Sequence, residues 1–144
     1  MCSTSSPWFS YLLLQVFGGF ASRPWQFDAQ YHGTGESFLW RRHGTSNNVQ
    51  VYQWSRRNDY FMLALNAKRA ESSYIAMGGG NDGRYGIWLH ESLTKGHSST
   101  SLTFRNDILS STSDFEVSVV EVWGLDVSGR PTHVFGHSRI SFHN

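Results

Sequence analysis

The sequence predicts a mostly β fold, a two-layer antiparallel β-sandwich, on three observations. Its 144 residues hold ten Phe, six Trp and six Tyr beside 14 Gly and only three Pro. Aromatic and β-branched residues favour a pleated, half-buried surface, and abundant glycine favours tight turns. Short apolar runs recur between turn signals at the spacing of sandwich strands, and no long segment keeps a 3.6-residue apolar period. The length suits one domain with one core.

The elements follow in chain order. Residues 1–10 read as a tail, small and polar apart from Pro7, Trp8 and Phe9, and the domain is assigned to residues 11–144. The apolar run 11–22 reads as one or two buried strands broken at Gly18-Gly19, closed by Arg23-Pro24. Gly33-Thr34-Gly35 is a turn, and residues 37–41 and 49–54 are strands. Residues 60–65 form an apolar run whose length fits a strand. A charged loop spans 66–73. Residues 74–77 and 84–90 should then pair across Gly78-Gly79-Gly80, where Asn81-Asp82-Gly83 supplies turn chemistry. Residues 91–100 read as a Ser/Thr/Gly loop with one helical turn near Glu91-Ser92-Leu93. Residues 115–125 are the longest alternating segment, 126–131 a turn, and 132–142 a last strand broken at Gly136.

The triple glycine is the most informative local feature. It follows Tyr74-Ile75-Ala76-Met77, so it marks a place where side chains are excluded. No Lys-Ser/Thr pair and no helix signal follow it, so a hairpin connection is favoured over a phosphate-cradling loop.

Charge and cysteine usage exclude several classes. Twelve Lys and Arg nearly balance eleven Asp and Glu, which removes the electrostatic footprint of a general nucleic-acid binder. The single cysteine, Cys2, permits no intramolecular disulfide and fits a reducing compartment. No basic residue precedes the apolar run 11–22, which argues against a secretory signal, and the run is too short for a transmembrane helix.

Candidate chemistry is sparse. Along 115–125, one face reads Phe115, Val117, Val119, Glu121 and Trp123. Either Glu121 is buried and must be paired or neutral, or a bulge near Val119-Val120 swaps the faces and sends it outward. Glu36, after the Gly33-Thr34-Gly35 turn, is the other carboxylate in a special context. Brought together, the two would suit general acid/base work in hydrolysis or peroxide-linked chemistry; apart, each satisfies backbone or indole donors. Gly96-His97-Ser98-Ser99 lacks the second glycine of a nucleophile elbow. His133 and His137 sit in a strand-like segment, where a four-residue spacing stretches two ligands apart. Neither a metal cluster nor a cofactor motif is apparent. The basic pairs Arg41-Arg42, Arg56-Arg57 and Lys68-Arg69 read as solvated surface; the minority reading is contact with acidic lipid, as in a lipid-binding membrane-trafficking adaptor, or with an acidic partner.

Several blocks, in order, carry a family resemblance. They are Phe17-Gly18-Gly19-Phe20, Tyr31-His32-Gly33-Thr34-Gly35-Glu36-Ser37-Phe38-Leu39, Val51-Tyr52-Gln53-Trp54 and Gly78-Gly79-Gly80, then Tyr85-Gly86-Ile87-Trp88-Leu89, Gly96-His97-Ser98, Thr103-Phe104-Arg105-Asn106 and Glu121-Val122-Trp123-Gly124. Together they resemble a TLDc domain over roughly residues 12–126. The resemblance implies two packed antiparallel sheets with a few short helices, an α+β detail. It also implies a role in oxidation resistance without settled chemistry, and binding to the peripheral sector of the vacuolar proton-pumping ATPase. It suggests a cytoplasmic protein at lysosomal or vesicle membranes, with mitochondrial or nuclear pools open. Glu36 and Glu121 match family glutamates. Gly33, Gly35, Gly78, Gly79, Gly80, Trp88, Phe104, Asn106 and Trp123 match its structural motif. The chain departs from the pattern in its first ten residues, which replace a helix and strand, in the missing acidic-glycine turn before Val16, and at Ser101, where many members carry Cys. The loops 66–73 and 91–100 and the segment after Trp123 are the expected contact features.

Overall fold

The computed structural model describes residues 2–4, 15–42, 44, 46–68, 70–80, 82–126 and 128–138. Eleven strands are found there: β1 (Cys2–Thr4), β2 (Gln15–Phe20), β3 (Phe38–Arg42), β4 (Val49–Tyr52), β5 (Met62–Leu65), β6 (Tyr74–Met77), β7 (Ile87–His90), β8 (Lys95–His97), β9 (Asp114–Glu116), β10 (Val119–Leu125) and β11 (Pro131–Ser138). They make two wholly antiparallel sheets. The first has six strands in the order β11-β10-β1-β2-β3-β4, and the second has five in the order β5-β6-β7-β8-β9. The second sheet is a simple meander.

The two sheets share one core. Phe17 on β2 and Leu39 on β3 are fully buried. Phe17 meets Phe115 of β9 edge-to-face at 5.0 Å between centroids, so a ring from each sheet joins across the interior. Met62, Met77, Phe104 and Val120 belong to the same cluster. This fits the layered arrangement that the sequence predicts. The few short helices implied by the resemblance are not found among the described residues.

Several expectations change. β2 and β11 run through Gly18-Gly19 and Gly136 without a break. In β2, pairing with β3 continues through Gly18↔Trp40 and Gly19↔Leu39, so the ladder holds where propensity is weak. Residues 2–4, read as tail, pair with both β10 and β2. The loop 91–100 contains β8, which pairs with β7 and β9 through a Gly at its centre. Near Glu91 the chain makes a turn, with Leu93 at φ 53° and its N–H on the His90 carbonyl, instead of a helical turn. The segment 115–125 is two strands in different sheets, because the chain leaves the second sheet at Val117-Ser118 and enters the first at Val119. The start of the apolar run, residues 11–14, and the end of the last strand expected from the sequence, residues 139–142, lie outside the described residues.

Candidate functional site

The most constructed part of the molecule is a buried polar brace built from residues 98–107. Ser98, Thr103 and Asn106 are at most 1 % exposed, and Ser101 is 5 % exposed. Each must find hydrogen-bond partners inside the protein. Asn106 uses its full capacity. Its Oδ1 accepts from Ser101 Oγ at 2.7 Å and from the Ser101 N–H at 3.2 Å. Its Nδ2 donates to the carbonyls of Ser99 and Asp107, both at 2.9 Å. Ser98 Oγ donates to the Gly86 carbonyl at 2.6 Å and accepts from the Leu109 N–H at 3.0 Å.

The triple glycine docks against this brace. Gly78 has φ 73°, and a Cβ there would lie 2.7 Å from Ser101 Oγ and 2.8 Å from Phe104 Cδ2. Both the left-handed backbone and the close approach therefore demand glycine. The Gly79 N–H donates to Thr103 Oγ1 at 2.9 Å, and Thr103 Oγ1 donates to Asn58 Oδ1 at 2.6 Å. The Leu102 N–H returns to the Gly79 carbonyl at 3.1 Å. A side chain is excluded at Gly78 by this loop and at Gly79 by two tyrosines, since a Cβ there would lie 2.8 Å from Tyr31 Oη and 3.1 Å from Tyr60 Cβ. Gly80 is looser: a Cβ there would meet nothing nearer than Asp82 Oδ1 at 3.5 Å.

The first sheet is tied to the same loop by Arg41. Its Nη1 donates to the Ile108 carbonyl at 2.6 Å, its Nη2 pairs with Asp107 at 3.2 Å and its Nε donates to Gln50 at 3.0 Å. Tyr52 adds a hydroxyl bond to Asp107 at 3.0 Å, and burial followed by that bond raises its pKa. One member of the Arg41-Arg42 pair is thus a strut, unavailable to a membrane surface.

The other predicted residues are dispersed. Gly33, at φ 104°, sits against Phe61 and Met62, and Gly35 leaves room for the ring of Trp54. Glu36 is exposed and its carboxylate has no hydrogen-bond partner among the described residues. It lines an open cleft with Phe38, Gln53, Trp54 and Arg56, whose guanidinium lies 5.4 Å from the Trp54 ring centre. Trp88 is half-buried on the second sheet, 5.7 Å from Tyr74. Phe104 is 2 % exposed, in the core. Trp123 is 53 % exposed and meets His133 edge-on at 4.9 Å.

Glu121 is half-buried and accepts from Trp123 Nε1 at 3.2 Å. Its neighbour Val120 is the inward residue, so the face swap is the reading realised. The cause is the crossing between sheets, and the register irregularity falls later, between Val122 and Trp123. The structure does not bring Glu36 and Glu121 together. Three strand spacings, roughly 14 Å, separate β10 from β3, and Glu36 lies two residues before β3.

Two of the expected contact loops do meet. The Glu91 N–H donates to the Ser73 carbonyl at 2.9 Å, and the Ser73 N–H donates to Glu91 Oε2 at 3.3 Å. No local pattern in the sequence marks this junction. It follows from the pairing of Tyr74 with His90 at the ends of β6 and β7.

Comparison with known proteins agrees with the residues quoted for the resemblance. The family model described as TLDc domain matches residues 13–126. Nuclear receptor coactivator 7 of Homo sapiens is 41 % identical over 112 residues, covering 78 % of this chain and 11 % of that protein. Oxidation resistance protein 1 of Xenopus tropicalis is 34 % identical over 112 residues, with 78 % and 12 % covered. The chain therefore spans about a tenth of the length of these relatives.

Proposed function

Because the chain belongs to the TLDc domain family, we propose that it is an interaction domain in oxidative-stress resistance. In this reading it binds and regulates the vacuolar proton-pumping ATPase through that pump's peripheral sector. The name of the relative Oxidation resistance protein 1 supports the stress role. The pump is what the family resemblance implies. The site of action in this reading is the cytoplasm, at lysosomal or vesicle membranes.

The observation that carries an interaction role is the junction of the loops 66–73 and 91–94. Their Ser73–Glu91 hydrogen bonds make one continuous surface, with Ala67, Lys68, Glu71, Glu91 and Ser92 exposed. Exposed loops held by a rigid sheet are the usual carriers of recognition. Catalysis by a carboxylate pair has less support, since Glu121 on β10 and Glu36, just before β3, are held apart by the strand order.

The test is co-precipitation of the pump's peripheral subunits with this chain as bait, beside a Lys68→Ala, Glu71→Ala, Ser92→Ala variant that melts at the same temperature. Capture by the parent and at least tenfold weaker capture by the variant is expected. Equal capture by both would remove these loops from the interface. No capture by the folded parent would overturn the pump assignment.

A further inference from the structure

We propose that Ser99, His97 and Asp114 form a nucleophilic serine site that is acylated by small carboxylic esters. His97 Nδ1 lies 2.9 Å from Asp114 Oδ1, and His97 Nε2 lies 2.9 Å from Ser99 Oγ. This connectivity places a carboxylate, an imidazole and a hydroxyl in series, the order that general-base activation of a serine requires. The site is independent of the loop interface proposed above.

The fold assembles it from a register no sequence pattern displays. His97 on β8 is the direct cross-strand partner of Asp114 on β9, 17 residues later. Ser99 lies two residues past the end of β8, and its hydroxyl turns back to His97 Nε2. The Ser99 backbone is fixed at both ends, with its N–H on the Tyr85 carbonyl at 2.9 Å and its carbonyl on Asn106 Nδ2 at 2.9 Å. The brace thereby holds the nucleophile in place, as preorganisation demands.

Neighbouring serines are already occupied. Ser98 Oγ donates to Gly86 and Ser101 Oγ donates to Asn106. Ser99 Oγ bonds His97 alone among the described residues. The Thr100 N–H has no hydrogen-bond partner among the described residues, and Thr100 is exposed; in this proposal it is the amide that receives the charge developing on the carbonyl oxygen. Ser99 is 7 % exposed and stands behind His97, whose side chain is 31 % exposed and lines an outer cleft with Trp88, Lys95 and Asp114, a cleft that Ser99 itself does not line. An acyl carbon has to pass His97 to reach Ser99, which restricts the proposal to a small acyl group.

The step balances as ordinary acyl transfer. Ser99 Oγ bonds to the carbonyl carbon while its proton passes to His97 Nε2, and the carbonyl π pair moves onto oxygen. Collapse breaks the bond to the alcohol oxygen, and His97 returns the proton to that leaving group. Water then attacks the acyl carbon with His97 as base, the bond to Ser99 breaks, and the acid and the free serine are restored. Asp114 accepts from His97 Nδ1 and so holds the imidazole tautomer.

The experiment uses the 144-residue chain and a small alkyl fluorophosphonate, which loses fluoride as Ser Oγ bonds phosphorus. Intact mass should show one adduct, mapped to Ser99 by peptide sequencing and absent after unfolding. Ser99→Ala should abolish it. His97→Gln, which keeps Ser99, should slow labelling at least about 100-fold. Asp114→Asn should slow it at least about tenfold at an unchanged melting temperature, because that side chain is 92 % exposed, and Asp114→Glu should restore part of the rate. A folded parent that takes no adduct, an adduct on another serine, or parental labelling in His97→Gln would overturn the proposal.

Discussion

The brace at residues 98–107 and the hairpin of β10 and β11 invert the usual rule in opposite ways. The brace buries polar side chains: Ser98 and Thr103 are 0 % exposed and Asn106 1 %. The hairpin exposes apolar ones: Trp123 is 53 %, Leu125 60 % and Val134 67 % exposed. The brace is a hub, bonded to the Gly78-Gly79 connection, to Asn58 and, through Arg41, to the first sheet. The hairpin is peripheral: among the described residues β1 registers with β10 only at Val119 and Val120, and from Glu121 onward β10 pairs with β11 alone. Buried polar groups are expensive to leave unpaired, so the brace should govern stability. Exposed apolar groups at a sheet edge do little for folding and are available to a partner.

The sharpest way to break this contrast is Asn106→Ala. It strips partners from the Ser101 hydroxyl and N–H and from the Ser99 and Asp107 carbonyls. Several unsatisfied buried groups should together cost about 3–5 kcal/mol in urea unfolding, enough to consume most of the stability of a marginal domain. A loss under about 1 kcal/mol would show that water replaces the asparagine and that the brace is dispensable.

Gly78→Ala should rank next, at about 2–4 kcal/mol. It adds a methyl at φ 73° within 2.8 Å of both Ser101 Oγ and Phe104 Cδ2. Ser101→Ala in the same background relieves part of the crowding, so the pair should be less than additive. Additive losses would place the cost in the backbone alone.

How much of this was legible depended on whether the signal was local. Gly78-Gly79-Gly80 announced a place without side chains, realised at Gly78 and Gly79, and the pairing of 74–77 with the strand ending at His90 followed from that glycine connection and its turn chemistry. The strands read over 37–41 and 49–54 showed themselves as short apolar runs between turn signals, and β3 and β4 stand there. The sheet crossing at Val117-Ser118 left no mark, because Val119, Val120 and Val122 are apolar on both faces and hide the change of phase. β8 was invisible for a related reason. Its Lys95-Gly96-His97 has little strand propensity, and pairing on both sides supplies what propensity lacks. Without β8 in the reading, His97 and Asp114 had no reason to meet. The separation of Glu36 from Glu121 likewise required strand order, which is a non-local quantity.

The hairpin should respond weakly. Trp123→Ser removes the ring contact with His133 and the indole bond to Glu121. Both lie at the surface, so unfolding stability should change by no more than about 1 kcal/mol. Pump capture by this variant should fall if the segment after Trp123 joins the interface. A stability loss comparable to that of Asn106→Ala would remove the distinction between hub and periphery.

The smallest effect should be seen at alkaline pH, in the aromatic layer beside the second sheet. Tyr31 stacks on Tyr60 at 4.5 Å between centroids, and the hydroxyls of Tyr74 and Tyr85 lie 3.1 Å apart. Burial, and then the neighbouring Tyr85, raise the pKa of Tyr31 and of Tyr74 well above the usual phenol range. The folded state thus favours the neutral phenols. Their contribution is fully present below the unfolded value of about 10 and is lost as pH rises above it toward the folded values. Melting temperature should therefore fall above about pH 10, and it should fall less steeply in Tyr31→Phe, which has no proton to lose at that position. Identical slopes in the two proteins would mean that Tyr31 ionises as readily folded as unfolded, and the aromatic layer would then be as open to solvent as the hairpin.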